Sequence, residues 1–138
     1  AEFELRMGEL SAQGETLTAD LLSREYRALN EAYFGPDMVS DGQIALEWSR
    51  IPHFYYNYYV FQYATGYSAA IALSRRILQE GEPAVKDYLE FLSGGCSKDP
   101  IDLLKGAGVD MASPQPIQSA LDLFDSLLDE METLTDFS

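Results

Sequence analysis

The residues best suited to chemistry are concentrated in one stretch. His53, the single histidine, stands near its start, and six of the nine tyrosines lie between positions 55 and 67. The stretch reads Ile51-Pro52-His53-Phe54-Tyr55-Tyr56-Asn57-Tyr58-Tyr59-Val60-Phe61-Gln62-Tyr63-Ala64-Thr65-Gly66. An apolar core can be built from Phe and Leu, whereas each buried phenol brings a hydroxyl that needs a partner. One reading is structural: these hydroxyls satisfy buried carbonyls and carboxylates in a tight bundle. The other is functional: a row of donors facing a polar cleft holds a peptide backbone or stabilises a developing oxyanion. In a helix, Tyr56, Tyr59, Tyr63 and Tyr67 form one stripe, with Tyr55, Tyr58 or Tyr59 and Gln62 beside it. His53 falls in the first turn of that helix. A lone histidine is more often a structural hydrogen-bonder than a ligand.

The elements that must position these residues all read as helices. Phe3, Met7 and Leu10 recur at helical spacing until Gly14. Thr18 caps a second helix with Leu21, Leu22, Tyr26, Leu29 and Tyr33 on its apolar face, and Gly35-Pro36 ends it. Ile44, Leu46 and Trp48 suit a short helix. Pro52 starts the long one, with no break before Gly81. A helix over about 53–80 is roughly 40 Å long. Its apolar first half is expected to be enclosed by neighbours. Gly66 and the small residues around it favour close approach of another helix over a hinge. Pro83 opens the next helix and Gly94-Gly95 closes it. Asp99-Pro100 and Ser113-Pro114 repeat a cap-and-proline pattern, and the last helix carries Ile117, Leu121, Phe124, Leu127, Leu128 and Met131 as its core face. The expectation is one all-α domain over 1–138, a bundle of about six helices around the central 53–80 helix.

Composition narrows the function. The 138 residues carry 9 Lys+Arg against 23 Asp+Glu, a net charge of -14. That balance disfavours nucleic acid and anionic membrane as partners. Beyond Lys105 the charges are all acidic, from Asp110 to Asp136, which reads as a solvated helix face or an acidic interaction surface. The uncharged run from Ile51 to Ser74 has the length of a bilayer span, but its tyrosines, Asn57, Gln62 and His53 are costly in hydrocarbon. The lone Cys96 forms no internal disulfide and fits a reducing compartment, so the cytoplasm is the expected location. In its Gly-rich turn it reads as an incidental thiol.

With one histidine and one cysteine, the chain builds no two-histidine zinc site, and it contains no HExxH, Walker loop or nucleophile elbow. By itself it does not look like a complete enzyme. It does resemble part of the oligoendopeptidase F family, zinc peptidases related to thimet oligopeptidase. Pro52, His53, Phe54, Tyr55, Gln62, Tyr63, Ala64, Thr65 and Gly66 carry the resemblance. Ala1-Glu2-Phe3-Glu4, Tyr33-Phe34-Gly35, Trp48, Gly81-Glu82-Pro83, Asp99-Pro100-Ile101 and Pro114 extend it over nearly the whole chain.

The resemblance implies the C-terminal portion of a peptidase that hydrolyses short peptides. In the family the HExxH helix, its two histidine ligands, the general base and a downstream glutamate precede this region. It therefore implies zinc in the intact enzyme, no cofactor or metal ligand in this chain, and no activity of the chain alone. Its role would be one wall of the substrate cleft. His53 matches a substrate-contacting histidine. Tyr55 or Tyr56 matches a tyrosine that polarises the scissile carbonyl, and Tyr59, Gln62 and Tyr63 line the substrate. Position 61, often Tyr in the family, is Phe61 here, so a donor role there passes to Tyr59 or Tyr63. The implied partners are the N-terminal remainder and short peptides, with self-association through the emptied groove. The competing reading is a stand-alone helical module that binds a protein or peptide without catalysis.

Overall fold

The computed structural model describes residues 1–135; Asp136, part of the acidic run, lies outside them. The described residues are all-α, as the sequence implies. Six α-helices occur among them: α1 (Glu2–Ala12), α2 (Ala19–Phe34), α3 (Phe61–Glu80), α4 (Glu82–Ser93), α5 (Pro100–Gly106) and α6 (Gln115–Leu134). Two 3-10 segments, Ile44–Arg50 and Pro52–Tyr55, join α2 to α3. The chain falls into two compact units, residues 1–62 and residues 63 onward.

The first unit is built around Phe3. α1 stops where Gly14 takes a φ of 87°. The Thr18 hydroxyl then accepts the Leu21 N–H at 3.2 Å, the expected cap of α2. Phe3 is buried, with its ring 5.1 Å from Tyr26 and 5.1 Å from Phe54, both edge-on, and 6.4 Å from Trp48. Each such aromatic pair adds about 1 kcal/mol beyond the area it buries. Two polar ties close the rim of this core. The Tyr26 hydroxyl donates to Glu47 at 3.1 Å, and Trp48 Nε1 donates to the Ser23 hydroxyl at 3.2 Å. Burial first, and then the bond to Glu47, raise the Tyr26 pKa above the usual phenol range.

The second unit packs small residues instead. Ala69 and Leu73 of α3 meet Ala107 and Val109 after α5, flanked by Tyr88, Phe91 and Leu104. Arg76 of α3 donates to the Ala107 carbonyl at 2.5 Å, to Asp87 at 2.8 Å and to Glu80 at 3.0 Å. Arg75 donates to the Ser119 carbonyl of α6 at 3.1 Å. Ala69 and Ala107 fit the expected close packing of the small-residue run. Gly66 does not: a Cβ there would meet nothing within 4 Å, and the residue borders a cavity of about 440 Å³.

Other expectations need correction. The α-helix begins at Phe61 and not near 53, although it ends at Glu80 as expected. A run of aromatic residues is a weak helix former, and Asn57 and Tyr58 take left-handed backbone, φ 51° and 62°, which no α-helix continues through. The stripe of Tyr56, Tyr59, Tyr63 and Tyr67 therefore does not form. Nor is the stretch enclosed, since its six tyrosines are exposed by 36% (Tyr59) to 70% (Tyr67). Likewise the apolar face of α6 is not enclosed, with Leu121 and Phe124 more than half exposed. Ser113 is not the cap of α6. Its hydroxyl turns back to the Asp110 carbonyl, and Pro114 occupies the cap position. Asp99 does cap α5 by position, but its side chain makes no capping bond.

Candidate functional site

The His-Tyr stretch is shaped by three devices, all within the first unit. Pro52 sets the backbone angle that starts the 3-10 turn Pro52–Tyr55. Phe54, half-buried on Phe3, anchors that turn in the core. The chain then passes through Asn57 and Tyr58 in left-handed conformation before α3 begins, where the Gln62 N–H donates to the Tyr59 carbonyl at 3.2 Å. The result is a tight turn that holds His53 against two tyrosines. The His53 ring stacks on Tyr59 at 5.7 Å between centroids and meets Tyr56 edge-on at 6.0 Å. Tyr56 and Tyr59 are edge-on at 5.9 Å.

Tyr55 takes a different course. Its hydroxyl donates to the Ser49 carbonyl at 3.2 Å, and it borders a cavity of about 360 Å³ beside Met7, Leu22 and Trp48. Gln62 closes the first unit and Tyr63 opens the second; both stand in the first turn of α3 and are exposed.

Two residues to which the sequence reading gave no role shape this turn. Glu4 is 4% exposed, and its Oε2 accepts the Val60 N–H at 3.2 Å. Gly8 lies against the Tyr58 ring, where a Cβ would fall 1.8 Å from the phenol oxygen. One signal was present: a glycine inside a helix costs up to about 1 kcal/mol, so Gly8 had to be there for a reason. Glu4 carries no comparable local signal, because its partner is 56 positions away.

Among the described residues no group of three or more His, Cys, Asp or Glu is placed to hold a metal. No helix among them is long and apolar enough to cross a membrane. The arrangement gathers one imidazole and two phenols on a single turn.

Among the described residues, fold and site thus define a helical chain that gathers one imidazole and two phenols on a turn. The sequence model of Peptidase family M3 matches residues 1–123, and the chain belongs to that family. It is 60% identical over 134 residues to the oligopeptidase PepF of Bacillus subtilis, covering 97% of this chain and 20% of that protein. It is 43% identical to the chromosomal oligoendopeptidase F of Lactococcus lactis subsp. cremoris, covering 99% of this chain and 23% of that protein. A crystal structure of a candidate peptidase from Chlamydophila abortus superposes with a TM-score of 0.81 at 38% identity, covering 97% of this chain and 22% of that one. The chain spans about a fifth of the length of these relatives.

Proposed function

We propose that this chain forms one wall of the substrate cleft in a zinc-dependent peptidase that cuts short peptides, and that it is inactive by itself. The observation that carries the reading is the grouping of His53, Tyr56 and Tyr59 within about 6 Å of one another on an exposed turn. Donors so grouped can bind a peptide backbone and meet an oxygen as it gains charge. Of the two candidate tyrosines, Tyr56 shares the cluster with His53, whereas the Tyr55 hydroxyl is engaged by Ser49. Gln62 and Tyr63, both in the first turn of α3, are the further substrate contacts of this reading. On this reading the zinc ligands are supplied by the remainder of the peptidase, which is also the chain's principal partner; the chain spans about a fifth of its relatives' length.

The test uses the full-length protein that carries this sequence and a fluorogenic oligopeptide. Tyr56→Phe and Tyr59→Phe each remove one donor and keep the ring. The variant that loses the oxyanion donor is expected to fall about 100-fold in kcat with little change in KM. His53→Ala is expected to weaken both. Tyr55→Phe stays within about twofold. If kcat and KM survive all three changes in the cluster, the reading is wrong.

The competing reading, a helical module that binds a protein without catalysis, is favoured by one observation: the open apolar face of α6, opposite its acidic residues. It predicts that the His53 and Tyr59 variants leave peptide hydrolysis by the full-length protein unchanged.

A further inference from the structure

We infer that Glu4 and Gly8 of α1 are positioning residues for the His53–Tyr56–Tyr59 cluster, acting by clamping the left-handed Asn57-Tyr58 turn from below; this rests on the function proposed above.

Three observations converge on it. First, the turn is not self-supporting. A tyrosine in left-handed backbone costs about 1–2 kcal/mol, and such a conformation persists only when its surroundings impose it. Asn57 tolerates the region better, but two consecutive residues in it are unusual. Second, the imposing groups lie on one face of one helix. Glu4 and Gly8 are four residues apart, so they stack on the same side of α1. Gly8 leaves the room into which the Tyr58 phenol settles; with any side chain at position 8 the ring must leave that place. One turn earlier, Glu4 accepts the Val60 N–H and fixes where the turn ends and α3 begins. Third, the clamp brackets one member of the cluster. Residues 58 and 60 are held, and Tyr59 lies between them, stacked on His53.

The chemistry of Glu4 makes its role specific. Its Oε2 is used by Val60, while Oε1 is buried without a partner. A buried polar atom left unpaired costs stability. An apolar residue at position 4 would avoid that cost, so what Glu4 supplies to the turn is the acceptor for Val60. Glutamine keeps an accepting carbonyl oxygen, whereas methionine has nearly the same shape and no comparable acceptor.

The experiment compares Glu4→Gln and Glu4→Met in the full-length protein. It reads amide hydrogen exchange at Val60 by mass spectrometry alongside kcat and KM for the oligopeptide. Glu4→Met is expected to speed Val60 exchange and lower kcat about tenfold with KM within about twofold, because a donor displaced by a fraction of an ångström loses much of its effect. Glu4→Gln is expected to leave all three close to the parent. A second pair covers the case in which Glu4→Met fails to fold. Gly8→Ala is expected to lower kcat about tenfold with Tyr58 in place and by less than about twofold in a Tyr58→Gly background, where neither ring nor strain remains.

Equal loss in both backgrounds, or unchanged Val60 exchange in Glu4→Met, overturns the clamp. Raised exchange with unchanged kcat overturns its positioning role if His53→Ala impairs catalysis. If His53→Ala is itself silent, the fault lies in the proposed function, and the exchange data still report whether α1 holds the turn.

Discussion

Each unit contains a long side chain that reaches from a helix to clamp a turn, and the two clamps are built differently. In the second unit Arg76 donates to the Ala107 carbonyl and is itself flanked by Glu80 and Asp87. Those carboxylates, Glu80 first, raise its pKa further. The turn it holds contains Gly108 at φ 80°, where a Cβ would lie 2.4 Å from the guanidinium. In the first unit Glu4 accepts from Val60, but its other oxygen has no partner, and the left-handed residues are Asn57 and Tyr58, not glycine. Both clamps use a glycine to admit a bulky partner at close range. The Arg76 clamp is electrically closed and holds a turn that its own glycine already favours. The Glu4 clamp leaves an atom unpaired and forces a conformation that the local residues resist. The first arrangement suits stability, and the second suits the aiming of side chains at a site.

That contrast can be broken or sharpened by experiment. The largest effect is expected from Phe3→Ala, which removes the centre of the first core and should cost about 4 kcal/mol in chemical denaturation. Amide protection should then fall in residues 1–62 and hold in α4 and α5. Next is Gly108→Ala, which combines collision with Arg76 and left-handed strain, for a loss of roughly 3 kcal/mol. Its exchange signature should be confined to the second unit; faster exchange at Val60 would show that the clamps are not independent. Arg76→Met should have a smaller effect in the same direction, read as a lower melting midpoint, because Gly108 still favours the turn.

The smallest effect concerns pH. The folded protein holds the Tyr26 proton more tightly than the unfolded chain does, since burial and Glu47 both favour the neutral phenol. Its contribution to stability is therefore complete below the unfolded phenol value of about 10 and is lost as pH rises through the higher folded value. In Tyr26→Phe the melting midpoint should decline less steeply over that alkaline range than in the parent.

The same contrast explains what the sequence made legible. Helix ends written locally were readable: Gly14, Thr18, Gly35-Pro36, Pro83 and Pro100 all mark the boundaries that they suggest. The grouping of His53 with Tyr56 and Tyr59 was not, since the helical reading put Tyr56 and Tyr59 on a stripe with Tyr63 and Tyr67, whereas a compact turn sets them beside His53. Between residues 53 and 80 no glycine or proline except Gly66 warns of a break. The break is imposed by Glu4 and Gly8 from far along the chain, and only Asn57, a residue tolerant of left-handed backbone, hinted at it. The amphipathic pattern of α6 correctly identified a helix and its apolar side. Pattern alone does not say how far that side is covered, and Leu121 and Phe124 on it stay more than half exposed.

Trp48 is the chain's single tryptophan, and its indole is tied to Ser23 and set beside Phe3 in the first unit. Indole emission from this chain is consequently a natural optical reporter of residues 1–62, and the second unit contributes no tryptophan signal of its own. Tyr55 and Tyr58 line one cavity with Trp48, so excited phenols there can pass their energy to the indole. Light absorbed by the tyrosines and re-emitted by the indole would register any opening of the turn, with no label added.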